Sequence, residues 1–153
     1  MYFYKVALFG HRDLSEHQRV ESELSDILTN LIRTKQYVEI YIGRNGEFDI
    51  FAASVVKRVQ KRLGGENSEL VLVLPYGVRD IEYYEKYYDS IVIPECVEGA
   101  HPKGAITKRN RWMVQECDLL VCFVERDFGG AYEALKYARS LNKRIINIAT
   151  DEK

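Results

Sequence analysis

Short apolar runs alternate with longer amphipathic segments along the whole chain. Six runs have the length and composition of buried strands, at residues 5–9, 38–42, 70–74, 90–93, 119–124 and 145–148. Strands that alternate with helices form a parallel sheet that is covered by helices on both faces. The pattern therefore predicts an α/β fold, a Rossmann-like, doubly wound and mainly parallel sheet of about six strands.

The segments between these runs carry the apolar stripe of a helix. Residues 15–35 place Val20, Leu24 and Leu28 on one face, and Ser15 with Gln18 fits a capping box at the start. Asp49 fits the N-cap of a second helix, which the pair Gly64-Gly65 would end in a left-handed conformation. Further helices are predicted at residues 103–116 and 130–141.

Composition limits the class of protein. The chain has 153 residues, of which 46% are hydrophobic, and these values predict a single domain over residues 1–153. Its formal net charge of −1 argues against a surface built for duplex DNA. No apolar run approaches the ~20 residues of a membrane span, so we expect a cytoplasmic protein without a membrane contact. Cys96, Cys117 and Cys122 lack metal-ligand spacing and are predicted to be buried thiols, with no metal site.

The candidate ligand site follows from the predicted sheet. In open parallel sheets, ligands bind in the crevice beyond the carboxyl ends of the strands. Arginine, histidine and glycine recur at these ends: Gly10, His11 and Arg12 follow the first predicted strand, and Gly43, Arg44 and Asn45 follow the second, with Asp49 close behind. We predict that these residues contribute to one binding site.

The most informative segment is residues 108–131. It begins with a basic helix containing Lys108, Arg109 and Asn110, continues through the apolar strand, and reaches Gly129, Gly130 and Ala131 at the start of the next helix. A helix N-terminus beyond a strand offers unpaired N–H groups to an anion, and glycine lets a phosphate approach. The segment predicts a nucleotide or nucleotide-derived small molecule as ligand, with no separate cofactor required. Neither G-x-G-x-x-G nor the P-loop motif is present.

Two spacings resemble the SLOG superfamily, which includes the DprA/Smf proteins, the YpsA-like proteins and the lonely-guy phosphoribohydrolases. Arg109, Met113 and Asp118 match the spacing of the R-K-x-x-M helix and its following aspartate in the lonely-guy pattern. Gly43, Gly46 and Asp49 are similar to the glycine step that follows the second strand in YpsA-like members. The resemblance implies a Rossmann-like nucleotide-binding domain in which Arg109 occupies the position of the hydrolases' active-site arginine.

The catalytic half of that pattern is altered. No proline precedes Gly129, and Ala131 replaces the threonine of P-G-G-x-G-T-x-x-E. The family's catalytic glutamate falls on Ala134, whereas Glu133 lies one position earlier, about 100° around a helix. The leading prediction is therefore a binding or sensing domain. One alternative is a nucleoside 5′-monophosphate phosphoribohydrolase that uses Arg109 and Glu133. Another is a DprA-like module for single-stranded DNA.

A tyrosine-rich segment lies apart from these motifs. Tyr83, Tyr84, Tyr87 and Tyr88 pair at a spacing of four residues and would form an aromatic stripe on a short helix. Such a stripe packs on the sheet or mediates a subunit contact, so a homo-oligomer through residues 83–88 is one interpretation. A ring of this segment, or Tyr76, could instead stack on a base.

Overall fold

The sheet is built from six parallel strands, as the apolar runs predict. The structure, a computed structural model, describes residues 1–151. The strands are β1 (Phe3–Gly10), β2 (Tyr37–Ile42), β3 (Ser68–Val73), β4 (Ser90–Val92), β5 (Leu119–Phe123) and β6 (Arg144–Asn147). They lie side by side in the order β4-β3-β2-β1-β5-β6, and every pairing is parallel. The predicted Rossmann-like class is confirmed.

Helices connect the strands. They are α1 (His17–Thr34), α2 (Glu47–Leu63), α3 (Ile81–Glu85), α4 (Pro102–Glu116) and α5 (Gly130–Ser140), and a single 3₁₀ turn covers Glu95–Val97. Two neighbouring parallel strands need a crossover connection, because the chain must return to the edge of the sheet at which the first strand began. A helix usually forms this connection.

Both faces of the sheet are covered, and each face has its own apolar core. Alternate residues of β1 separate the two cores: Val6 and Leu8 pack with α1 and α2, whereas Ala7 and Phe9 pack with α4 and α5. Successive side chains on a strand point to opposite faces, so a strand covered on both sides must be apolar throughout. This is why the central strands read as continuous apolar runs in the sequence.

The helix starts differ from the predicted ones. Helix α1 begins at His17 after Glu16, and no side chain caps it, so the predicted capping box of Ser15 and Gln18 is wrong. Helix α2 begins at Glu47, which places Asp49 in its first turn rather than at the N-cap. At the other end of α2 the prediction is confirmed, because Gly64 has a φ of 97°, a left-handed conformation that favours glycine.

The direction of strand order reverses at β1. The chain places β2 on one side of β1, and β5 returns to pair on the other side, with Gly10 opposite Phe123. At such a reversal the loops that follow the two strands separate and leave a crevice. The β1–α1 and β5–α5 loops therefore flank the position where a ligand is expected.

Two further features concern the described residues. Across residues 1–151, no helix has both the length and the apolar character needed to cross a membrane. Cys117 and Cys122 are buried as predicted, but Cys96 is exposed, because it lies in the 3₁₀ turn that precedes α4 rather than in a strand.

Candidate functional site

A cleft of about 370 Å³ lies beyond the carboxyl ends of β1 and β5. Ten of the residues predicted from sequence line it: Gly10, His11, Arg12, Asn45, Asp49, Arg109, Asn110, Gly129, Gly130 and Ala131. They come from the end of β1 and the loop after it, from the β2–α2 loop and the first turn of α2, from α4, and from the start of α5, so only the fold brings them together. We call this space the main cleft.

Arg109 is the buried cation of the main cleft, with only 2% of its surface exposed. Its Nη1 donates to the Val73 carbonyl at 2.7 Å, and its Nε donates to Asn110 Oδ1 at 2.8 Å. Within residues 1–151, Nη2 donates no hydrogen bond to another residue. Burial lowers the pKa of Arg109, and the charge of Asp49 opposes that shift. The guanidinium is thus oriented by two bonds and keeps donor capacity for a ligand.

Asp49 is the acidic partner on the opposite wall of the main cleft. Its Oδ2 accepts the N–H of Asn45 at 2.9 Å, which ties the β2–α2 loop to the first turn of α2. Burial raises the pKa of Asp49 to about 6, against the opposing effects of that hydrogen bond and of Arg109. The carboxyl group therefore titrates close to neutral pH, and its charge controls how strongly the cleft attracts an anion.

His11 joins the two loops that flank the main cleft. Its Nε2 accepts the N–H of Glu125 at 3.1 Å and the N–H of Arg126 at 3.3 Å. An imidazole nitrogen that accepts must be unprotonated, so the neutral ring carries its proton on Nδ1. Burial and the charge of Arg126 lower the pKa of His11. In the structure it holds the β5–α5 loop against the end of β1, and its predicted contact with a ligand stays a prediction.

The glycine pair lines the main cleft at the start of α5. Gly129 precedes α5 with a φ of 96°, and Gly130 is the first residue of the helix, which has no side-chain cap. The first N–H groups of a helix have no partner within it, so they face the main cleft as free donors at the positive end of the helix dipole. A phosphate group fits these donors.

Five residues of the main cleft were not predicted individually: Phe9, Asp13, Ile106, Arg126 and Phe128. Arg126 forms an ion pair with Asp13 across the mouth of the cleft. Its guanidinium also lies 5.9 Å from the centre of the Phe128 ring, which is 63% exposed. The only sequence signal for Arg126 and Phe128 is that they follow β5, the strand beside β1.

Three predicted residues lie elsewhere. Gly43 is packed behind Arg109, and a Cβ at this position would lie 2.8 Å from Nη1. The Arg44 guanidinium lies 5.0 Å from the centre of the Tyr84 ring and lines a different cavity. Lys108 is exposed on α4 outside the lining of the main cleft, and its carbonyl accepts a hydrogen bond from the Cys96 thiol at 3.8 Å.

Glu133 occupies a neighbouring cavity of about 300 Å³ with Thr107, Arg111 and Ala134. Its carboxylate lies 3.8 Å from the ammonium of Lys136. Asn110 and Gly130 line both this cavity and the main cleft. Glu133 and Arg109 therefore line two adjoining cavities that share Asn110 and Gly130. Among the described residues, no group of three or more His, Cys, Asp and Glu side chains could hold a metal ion.

Sequence comparison finds neither a matching family model nor a matching curated protein. Structure comparison finds similar folds. The chain resembles DNA processing protein A (DprA) of Streptococcus pneumoniae with a TM-score of 0.66 and 16% identity, over 94% of this chain and 49% of that one. DprA of Helicobacter pylori, described with a single-stranded DNA binding mode, matches with a TM-score of 0.62 and 14% identity, over 93% of this chain and 63% of that one. The molybdenum cofactor carrier protein of Chlamydomonas reinhardtii matches with a TM-score of 0.58 and 15% identity, over 94% of this chain and 75% of that one.

These likenesses establish the fold. The chain has the Rossmann-like fold of these proteins, which include DprA, so the fold that the arginine and glycine spacings implied is confirmed. It spans about half the length of the pneumococcal DprA. Proteins that share a fold differ in function, and the ligand has to be argued from the site itself.

Proposed function

We propose that this chain is a binding or sensing domain for a nucleotide or nucleotide-derived small molecule, and that the ligand's phosphate lies in the main cleft. We place this activity in the cytosol, with no separate cofactor required. The walls of the cleft carry the cations Arg12, Arg109 and Arg126, the last of them paired with Asp13, and the start of α5 supplies backbone N–H groups. Both kinds of donor recognise phosphate oxygens.

The observation that carries this proposal is the burial of Arg109. A buried guanidinium is costly unless its charge is compensated, and the raised pKa of Asp49 shows that the carboxylate opposite is itself poorly stabilised in its charged form. A phosphate dianion between Arg109 and the α5 N-terminus would supply the compensation. The main cleft thus holds a buried, oriented cation that a ligand anion would compensate further.

Single-stranded DNA is the second candidate, and the exposed Phe128 ring favours it. Proteins that bind single strands combine arginines that contact the backbone with aromatic rings on which bases stack. Arg126 and Phe128 provide both at the mouth of the main cleft. Because the cleft supplies one such ring, we rank the small nucleotide first.

A thermal-shift screen tests the proposal. Mono-, di- and cyclic nucleotides, ADP-ribose and NAD are added at millimolar concentration, beside a short oligodeoxynucleotide. A ligand that binds only the folded state stabilises it by RT ln(1 + [L]/Kd), about 2.7 kcal/mol at a hundredfold excess over Kd. Gly130→Val serves as the blocked variant, because its branched side chain fills the phosphate position, and Gly130→Ala is the matched control. A flat response to the whole panel would exclude the proposal.

A further inference from the structure

The neighbouring cavity continues the main cleft past the start of α5. It has a volume of about 300 Å³ and is lined by Thr107, Asn110 and Arg111 of α4 and by Gly130, Glu133 and Ala134 of α5. Asn110 and Gly130 line the main cleft as well, so the two spaces meet at the N-terminus of α5. Sites for small molecules have volumes of about 300–1,000 Å³, and one ligand can extend through both spaces.

Asn110 offers an oriented donor at this junction. Its Oδ1 accepts the N–H of Arg109 Nε at 2.8 Å, which fixes the amide group. Its Nδ2 lies 3.6 Å from the position that a Cβ on Gly130 would occupy. Within residues 1–151, this Nδ2 donates no hydrogen bond to another residue. The amide of Asn110 and the first N–H groups of α5 therefore form one set of donors where the two cavities meet.

A phosphate bound by these donors has open space on two sides. The main cleft lies on one side and the neighbouring cavity on the other. A terminal phosphate would leave the neighbouring cavity empty, whereas a phosphate inside a longer ligand carries a group into each space. The nucleoside belongs in the main cleft, where the exposed Phe128 ring offers a face to a base. The rest of the ligand then enters the neighbouring cavity.

The lining of the neighbouring cavity indicates what that second group is. Thr107 brings a hydroxyl, Arg111 a guanidinium and Glu133 a carboxylate. The carboxylate has a loose ion pair with Lys136 at 3.8 Å, which leaves its oxygens able to accept further hydrogens. Among the described residues, no aromatic side chain lines this cavity, so a base would find no ring on which to stack. A sugar, with several hydroxyl groups that both donate and accept, matches this lining.

The charges of the main cleft also favour a phosphate group that is linked on both sides. The described lining holds three arginines and two carboxylates: Arg12, Arg109, Arg126, Asp13 and Asp49. One positive charge is left in excess, and the positive end of the α5 dipole adds to it. A diphosphate that joins two groups carries two negative charges, whereas a free terminal phosphate adds about one more near neutral pH. The linked form therefore leaves less charge without a partner.

We propose that the ligand is a nucleoside diphosphate joined to a sugar, with the diphosphate at the junction of the two cavities and the sugar in the neighbouring cavity. This inference rests on the proposed function and narrows its ligand class. Asn110 and the start of α5 donate to the diphosphate, and Arg109 compensates its charge. Glu133 and Thr107 form hydrogen bonds with hydroxyl groups of the sugar.

Two pairs of compounds that differ by the terminal sugar test the proposal: ADP-ribose with ADP, and UDP-glucose with UDP. Each compound is titrated calorimetrically into the full chain. In at least one pair we expect the sugar-bearing compound to bind at least about tenfold more tightly, the gain that one hydrogen bond to a charged group produces. Equal affinity within both pairs, or tighter binding of ADP and UDP, overturns the proposal.

Two variants of the neighbouring cavity locate the sugar. Thr107 is exposed on α4, so Thr107→Phe adds a ring to the cavity without disturbing the core. The sugar-bearing compound should then bind no more tightly than its bare diphosphate, and Thr107→Ser, which keeps the hydroxyl, should bind as the wild type does. Glu133→Gln should also weaken the sugar-bearing compound, whereas Lys136→Gln, the control for the ion pair, should not. A sugar gain that survives Thr107→Phe overturns the assignment of this cavity.

The failure of this inference is distinguishable from the failure of the proposed function. If AMP or ADP binds and Gly130→Val abolishes that binding, but neither sugar adds affinity, the inference is overturned and the proposed function stands. If no nucleotide of the panel binds, both are overturned. If a short oligodeoxynucleotide binds while all four compounds fail, the main cleft belongs to single-stranded DNA, and the inference is again overturned.

Discussion

Arg109 lies directly against Gly43, so that a Cβ on Gly43 would be 2.8 Å from Nη1 and 3.1 Å from Cζ of the guanidinium. The glycine at the end of β2 therefore makes room for the buried arginine of α4, while the Val73 carbonyl at the end of β3 holds it at 2.7 Å. Two strand ends and a helix from the other half of the chain thus fix one cation at the floor of the main cleft.

Gly43→Ala should weaken binding of the nucleotide ligand, although residue 43 does not line the main cleft. The added methyl group displaces the Arg109 guanidinium, because real Cβ atoms do not approach another heavy atom to 2.8 Å. We expect a loss of about 1–2 kcal/mol in binding and a lower thermal midpoint, in the range that overpacking of a core produces. Calorimetric titration measures the affinity.

Gly104→Ala is the matched control for that experiment. Gly104 lies in α4, and a Cβ there would meet nothing within 4 Å. Because alanine favours a helix over glycine, this variant should gain up to about 1 kcal/mol of stability and keep its affinity. If Gly43→Ala also kept its affinity, Arg109 would not be the phosphate ligand.

Arg109→Ala should weaken a phosphate-bearing ligand by about 1.5–3 kcal/mol, the value of a charge-assisted hydrogen bond to a charged partner. It should also lower the thermal midpoint, because the Val73 carbonyl loses its donor and Asp49 loses its neighbouring cation. Affinity measured by titration on the folded variant separates the two effects. A variant that binds as tightly as the wild type would give Arg109 a purely structural role.

Asp49→Asn should stabilise the protein at neutral pH. The folded-state pKa of about 6 lies above the ordinary value of 3.8, so the folded chain binds more protons in between, and stability is lost as pH rises through this window. Removing the charge should therefore raise the free energy of unfolding by about 1–3 kcal/mol at pH 7. Urea unfolding checks this. The difference between variant and wild type should vanish near pH 3.5, and a difference independent of pH would contradict the shift.

His11 should give the opposite pH dependence of stability to Asp49. Its pKa is lowered on folding from 6.5, so below that pH the unfolded chain binds more protons and the free energy of unfolding falls. His11→Gln keeps an acceptor side chain but does not titrate, so it should lose less stability than the wild type between about pH 7 and pH 5. Asp49 is present in both proteins, and its contribution cancels in the comparison. Parallel pH profiles would refute the assignment.

We expect little or no phosphoribohydrolase activity on AMP, GMP, CMP or UMP. Glu133 lines the cavity beside the main cleft, whereas Arg109 lines the main cleft itself. A positioned acid or base contributes about a hundred- to ten-thousandfold to a rate, and a displaced carboxylate forfeits much of this. Chromatography of released base measures turnover. A rate of about 1 per second that Glu133→Ala abolishes would show that the two residues form a working site.

Apolar periodicity alone was sufficient to predict the six strands, the parallel sheet and the edge at which a cleft opens. A strand that is buried on both faces must be apolar along its whole length, and such a run can be recognised from a short stretch of sequence. The same logic placed Gly129 and Gly130 at the start of α5. Helix starts were less predictable: Glu47 rather than Asp49 opens α2, because a contact between its backbone N–H and the Arg12 carbonyl, at 2.7 Å, joins loops distant in sequence.

Only the tertiary structure decided which predicted residues share a space. Gly43 and Arg44 are neighbours in sequence, yet Gly43 packs against Arg109 whereas Arg44 lines a different cavity, together with Tyr84. Glu133 is three residues from Gly130, yet it lines only the neighbouring cavity, whereas Gly130 also lines the main cleft. Sequence spacing gives the direction of a side chain along its own element; which cavity it enters depends on how that element packs against others, through contacts between residues far apart in the chain.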